Sequence, residues 1–327
     1  MVFEELPRFF RIEVPLPGNP LKQINAYLVK GKDRHLLVDN GFNMVECETT
    51  LREALRQLNV PLKKLDFFLT HLHSDHNGLT SALCASDAQI FCSEVDGNHI
   101  NTFIEDGEVW PRMMRGLEKH GFPSASLDEL LRSHPGKIYA SPKPLLFTPV
   151  SEGQGIVYGA YSFTVVEVPG HTPGHLALYE PERHFLISGD HVLGAITPNI
   201  TAWEGVADSL GDYLHSLNKV LRLPINQSYP GHRGIIPNTH ERVLHLQEHH
   251  AQRLNEAHEI VARMGSASAF AVASQMRWAL RGTWETYWVQ QQCFAVGEAV
   301  AHLDHLAMLG RLKRQEDVSR SVTYTEK

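Results

Sequence analysis

The segment Thr70-His-Leu-His-Ser-Asp-His76 follows directly on the apolar run Asp66-Phe-Phe-Leu69, and few folds can use such a cluster. The run predicts a buried strand, and the cluster lies where that strand gives way to a helix. In an extended stretch, residues i and i+2 project to the same side, so His71 and His73 can reach one cation together. Once the chain turns into a helix, Asp75 and His76 point elsewhere and can serve a second. The plainer alternative is a polar loop in which Asp75 only caps the next helix. An H-x-H-x-D-H pattern at a strand end favours a rigid sheet with its functional loops along one edge.

Three later segments repeat the order of apolar run, turn, then His or Asp. They are Val165-Val-Glu-Val-Pro-Gly-His171-Thr-Pro-Gly-His175, Phe185-Leu-Ile-Ser-Gly-Asp190-His191 and Ser228-Tyr-Pro-Gly-His232. Each alone reads as an ordinary turn. Together they predict donors converging on one rim, held in place by strands. His175 and His191 neighbour the donor positions and are expected to support them by hydrogen bonds. Imidazole and carboxylate donors without thiolates suit Zn²⁺, and also Fe, Mn or Ni. The four cysteines are scattered with no C-x-x-C pair, which argues against a disulfide framework or a thiolate metal site and for a reduced, cytoplasmic setting.

Residues 1–237 read as strands and helices, with 94–148 as a lid-like insertion, while 238–327 read as a separate helical domain with a charged tail. No run of ~18 apolar residues is present, so no membrane span is expected, and the N-terminus lacks the pattern of a secretory signal. The net charge of −7 excludes a generally basic, nucleic-acid-seeking surface. His99, His120 and His134 in the insertion, and His245, His249, His250 and His258 on the long C-terminal helix, are expected to face solvent.

The ordered set His71, His73, Asp75, His76, His171, Asp190 and His232 resembles the metallo-β-lactamase fold superfamily, with the same ligand set as glyoxalase II. Leu37-Val-Asp39-Asn-Gly41 is similar to that family's early strand and turn, and the resemblance covers roughly residues 20–235. It implies an α+β fold, an αββα sandwich with the smaller C-terminal helical domain appended. It also implies two divalent metal ions, Zn in the first instance. One would be held by His71, His73 and His171, the other by Asp75, His76 and His232, with Asp190 bridging them. A metal-bridged hydroxide would attack the substrate, and Asp75 would orient it and carry its proton. No G-x-S-x-G elbow competes with this chemistry.

The family cleaves many bonds. Only 41 residues separate Asp190 from His232, too few for the inserted domain of its RNA-cleaving members. His73 stands where diiron flavoproteins have Glu, and Asp190 where true β-lactamases have a different ligand. The helical, winged-helix-like tail resembles a subgroup containing a mitochondrial endoribonuclease and fungal polyketide thioesterases. Residues 236–327 hold ten Lys/Arg and ten Asp/Glu, whereas phosphate binding calls for a basic stripe. The leading expectation is therefore a hydrolase of a small thioester or ester. The alternatives are a nucleic-acid-processing phosphodiesterase and a mononuclear iron oxidoreductase of thiol-derived substrates. Trp278, Trp284, Tyr287 and Trp288 are expected to pack a helical core or a homodimer contact.

Overall fold

The computed structural model describes residues 1–327. The first sheet has seven strands in sequence order: β1 (Val2–Leu6), β2 (Phe9–Pro15), β3 (Gln23–Lys30), β4 (His35–Val38), β5 (Leu65–Phe68), β6 (Ile90–Cys92) and β7 (Thr148–Pro149). It is antiparallel up to β4 and parallel from there. The second sheet contains β8 (Gly155–Tyr158), β9 (Tyr161–Glu167), β10 (Leu176–Glu180), β11 (Phe185–Gly189) and β12 (Gln227–Pro230), in the order β12-β11-β10-β9-β8 with β11 and β12 parallel.

Period-two alternation builds the layers. Along β3, Tyr27 and Val29 pack with Phe163, Val165 and Phe185 of the facing sheet. Ala26 and Leu28 turn the other way, onto Leu51 and Leu55 of helix α1 (Val45–Gln57). Strands buried on both faces read as continuous apolar runs because helices cover each outer surface. The result is the αββα sandwich.

Two short helices, α2 (Ser74–Asn77) and α3 (Thr80–Leu83), follow β5, where the sequence predicts one helix over 79–85. The insertion forms α4 (Glu94–Glu105), α5 (Val109–Lys119), α6 (Ser124–Ser133) and α7 (Pro135–Ile138). On the second sheet, Val166 and Leu186 pack against Leu217 of α8 (Ser209–Leu221). The same core includes Leu246 of α9 (Thr239–Met264) and Val300 of α11 (Val289–Met308), so the C-terminal helices join the sandwich's outer layer. A short strand β13 (Ser266–Ala267) and helix α10 (Ala269–Ala273) lie between α9 and α11.

The tail read as merely charged is instead a hairpin, β14 (Leu312–Glu316) and β15 (Val322–Glu326), paired with β13. One face of it carries Leu312, Val322 and Tyr324, all buried. Arg314, Glu316 and Glu326 lie on the same face, so the sequence shows no clean apolar alternation. No helix is long and apolar enough to cross a membrane.

Candidate metal centre

Loops that leave the carboxyl ends of parallel strands gather at one edge of a sheet, the usual place for ligands in such architectures. Here β5 delivers the 71–76 cluster, β11 delivers Asp190 and β12 delivers His232, while the β9–β10 turn brings His171 and His175. All seven predicted donors meet there. His71 Nε2 and His171 Nε2 lie 3.1 and 3.0 Å from His73 Nδ1. His232 Nε2 is 3.2 Å from Asp75 Oδ2 and 3.4 Å from Asp190 Oδ2, and His76 Nε2 is 3.6 Å from Asp190 Oδ1. Donor atoms group as His71/His73/His171, His71/His76/Asp190 and Asp75/His76/His232, each within 4.8 Å.

Outward hydrogen bonds fix which nitrogen faces inward. The Nδ1–H of His76 donates to Asp39 Oδ2 at 2.7 Å, and that of His71 to Thr70 Oγ1 at 3.0 Å. Thr70 in turn donates to Asp39 at 2.8 Å. His171 donates to the Asn199 carbonyl and His232 to the Gln23 carbonyl, both at 2.8 Å. Four Nε2 lone pairs are thereby aimed at one another and at two carboxylates. His76 Nε2, His232 Nε2 and Asp190 Oδ1 are buried without a hydrogen-bond partner, an arrangement that is costly unless something else satisfies them. Four donors at ~2.0–2.1 Å from a tetrahedral cation would stand roughly 3.3 Å apart, close to the spacings found. The donor set fits divalent metal.

Burial, with neighbouring imidazoles adding to it, holds His71 well below the ordinary imidazole range, and burial beside His171 brings His73 to about 3. Burial opposes ionisation of Asp75 and Asp190, but the facing His76 and His232 outweigh it. Asp75 falls to about 2 and Asp190 well below the usual carboxylate range. Burial also opposes charge on His232, yet Asp190 and Asp75 raise it to about 10. One half of the cluster thus presents bare lone pairs and the other presents carboxylates, and both attract a cation.

His175 accepts from the Asp190 backbone N–H at 3.1 Å and stacks on His71, so it braces two donors. His191 does not do this. Consecutive residues leave Asp190 in opposite directions, so the His191 ring lies against Tyr213 and makes no hydrogen bond. Of the histidines expected in solvent, His250 is buried, and His99, His120, His134, His249 and His258 are half-buried. His250 has no exposed surface and sits 3.2 Å from His302. It occupies the same helical stripe as Leu246 and Leu254, and that spacing was the available signal. His134 lines the cavity above the site beside Trp110, and His99 lies near Trp203.

Sequence reasoning missed Asp96. Fully buried on α4, it accepts from Leu72 N at 3.0 Å, Thr172 Oγ1 at 2.6 Å and Gly174 N at 2.7 Å, tying together the loops that carry His71 and His171. Burial raises its pKa to about 6 against the pull of those donors. In the sequence, Ser93-Glu-Val-Asp96 reads only as a helix cap, which Ser93 does supply. Asp96→Ala would strand three donors at ~1–3 kcal/mol each. The metal-free variant is therefore expected to melt well below an Asp87→Ala control in calorimetry. Gly231 matters for close approach. A Cβ there would lie 2.5 Å from Asp190 Oδ1 and 2.7 Å from His76 Cε1, so no other residue fits.

The family described as Metallo-beta-lactamase superfamily matches residues 19–232, and the one described as Metallo-beta-lactamase-like, C-terminal domain matches residues 288–327. A probable metallo-hydrolase, YqjP, of Bacillus subtilis is 28% identical over 90% of this chain and 91% of its own length. The acyl-coenzyme A thioesterase MBLAC2 of Bos taurus is 23% identical over 79% of this chain and 87% of its own. The crystal structure of a beta-lactamase domain protein from Burkholderia ambifaria superposes with a TM-score of 0.85 at 26% identity, covering 100% of this chain and 94% of that one.

Proposed function

The chain belongs to the metallo-β-lactamase superfamily of metal-dependent hydrolases, and we propose that within it this protein cleaves thioesters of an apolar acyl group. The observation that carries this reading is a cavity of about 1930 Å³ that opens onto His73, Asp75, His171 and Asp190. Phe103, Trp110, Met113, Trp203 and Phe294 are among its walls. Pockets for small ligands are commonly ~300–1,000 Å³ and mostly apolar. A wall of this size and character suits an extended hydrocarbon or polyketide chain, with a polar carrier left at the mouth. The thioesterase named among the relatives supports the same reading.

In this reading His71, His73 and His171 would hold one ion, Asp75, His76 and His232 would hold a second, and Asp190 would be shared. Two divalent ions would polarise the acyl carbonyl and lower the pKa of a water between them. Zn²⁺ suits the donors, as do Fe, Mn and Ni. The Asp75 carboxylate, partly open to the cavity, orients the attacking water and takes its proton. The α9-β13-α10-α11-β14-β15 order supports a winged-helix reading of the C-terminal domain. Its balanced charge speaks against a nucleic-acid role.

The test is a substrate panel on the metal-loaded protein: acyl-CoA from two to sixteen carbons, acyl-glutathione, a lactone and a phosphodiester. Thioester cleavage is expected, with kcat/KM rising as the acyl chain lengthens, because each buried methylene contributes ~0.8 kcal/mol, about fourfold at most. Exhaustive chelation is expected to remove at least 99% of the rate. Faster cleavage of the phosphodiester, or full activity after chelation, would overturn the reading.

A further inference from the structure

The segment 192–207, between β11 and α8, is a long connection without regular structure, yet it touches His171 in two places. The Asn199 carbonyl accepts from His171 Nδ1 at 2.8 Å, and Trp203 Nε1 donates to the His171 carbonyl at 3.1 Å. Connections of this length are uncommon in compact domains unless functional or tied down. This one is tied down, and by the C-terminal helices.

From α9, Arg242 donates to the carbonyls of Leu193 and Ile196 at 2.6 and 2.8 Å. From α11, the Glu298 carboxylate accepts from Asn199 Nδ2 at 3.0 Å, and the Phe294 carbonyl accepts from the same amide at 3.3 Å. Glu298 is almost wholly buried and faces Arg253 at 3.6 Å, and the Arg253 guanidinium lies over Trp278. At Gly297 the helix backbone comes so close to the connection that an added Cβ would overlap the Thr201 hydroxyl. Glycine inside a helix costs ~1 kcal/mol relative to alanine, so close approach here accounts for its presence. Side-chain pairing and backbone fit thus independently join α11 to this connection.

We propose that the C-terminal helices set the position of His171 through the 192–207 segment, making Asn199, Gly297 and Glu298 positioning residues of the metal centre. The inference rests on the reading that His171 binds metal. The carbonyl of Asn199 decides which His171 nitrogen carries the proton and how the ring is turned. The side chain of the same residue is what α11 grips. Releasing the grip leaves the carbonyl present but free to drift, and with it the Nε2 that faces His71 and His73. The C-terminal domain would then act on the site by geometry, with no contact to the reacting atoms.

Co²⁺ titration of metal-free protein, followed by its visible absorption and by competition with a chelator, tests this. Partners of metal-binding histidines typically govern affinity by ~10–100-fold. Asn199→Ala, Gly297→Ala and Glu298→Ala are each expected to weaken the tighter or weaker of two Co²⁺ steps about tenfold and to alter its spectrum, leaving the other step unchanged. Glu298→Gln still accepts from Asn199 and is expected to restore affinity to within about threefold. Unchanged Co²⁺ affinity and spectra in all three variants would overturn the proposal. So would an equal loss in both steps that tracks a lower melting temperature of the metal-free protein, since that is the mark of a purely structural role. Wild-type protein that binds no Co²⁺ would instead fail the metal reading itself, whereas bound Co²⁺ without thioester cleavage would fail only the substrate reading.

Discussion

Asp190→Ala is expected to lower turnover about 100- to 1,000-fold, the order seen when a single group central to charge stabilisation is removed, and to strip metal from the protein. The carboxylate lies 3.4 Å from His232, 3.6 Å from His76 and 3.9 Å from His171, so it faces both halves of the cluster. Its loss removes a negative charge between the proposed cation positions and leaves Asp75 as the carboxylate beside the Nε2 atoms of His76 and His232. Metal analysis by mass spectrometry together with kcat/KM would check this. His258→Ala, on the α9 surface, should change neither quantity. Equal effects in the two variants would place the centre elsewhere.

Acid should destabilise the fold independently of metal. Burial holds His302 at about 3 and His120 and His134 at about 4, all below the ordinary imidazole value. The unfolded chain therefore binds protons that the folded one refuses. The stability these residues confer is complete above ~6.5 and is lost progressively as pH falls toward 4 and then 3. Between pH 7 and pH 5 each should cost on the order of 1–2 kcal/mol, several kcal/mol together. Calorimetry of chelated protein is expected to show a melting temperature at least 10 °C lower at pH 5 than at pH 7. His302→Gln can still donate to the Glu298 carbonyl and should flatten that dependence by one imidazole's share. A melting temperature that does not respond to pH over this range would mean these rings are hydrated in the folded state.

What the sequence revealed follows the range of the forces involved. His71, His73, Asp75 and His76 lie within six residues, so strand geometry alone limits how they can point. His171, Asp190 and His232 each follow an apolar run and a turn, a pattern that survives without any knowledge of the pairing. Asp96, Asn199 and Glu298 carry no such mark, because their partners are up to 99 residues away and their types suit any cap or surface helix. His191 follows Asp190 directly, yet its ring turns to Tyr213, because proximity along the chain says nothing about which side a ring takes. The terminal hairpin is not legible because Arg314, Glu316 and Glu326 share a face with Leu312, Val322 and Tyr324, which erases the period-two apolar pattern of a strand.

The cavity is walled by α4, α5 and α11, whereas the donors hang from the sheets. The proposed metal donors and much of the cavity wall therefore come from different stretches of polypeptide. With Asp96 kept, the positions of 97–148 that face the void could be diversified while the donors keep their places. A lineage built this way can explore new substrates by drift in its helices without first giving up its reaction, and a protein engineer can follow the same route.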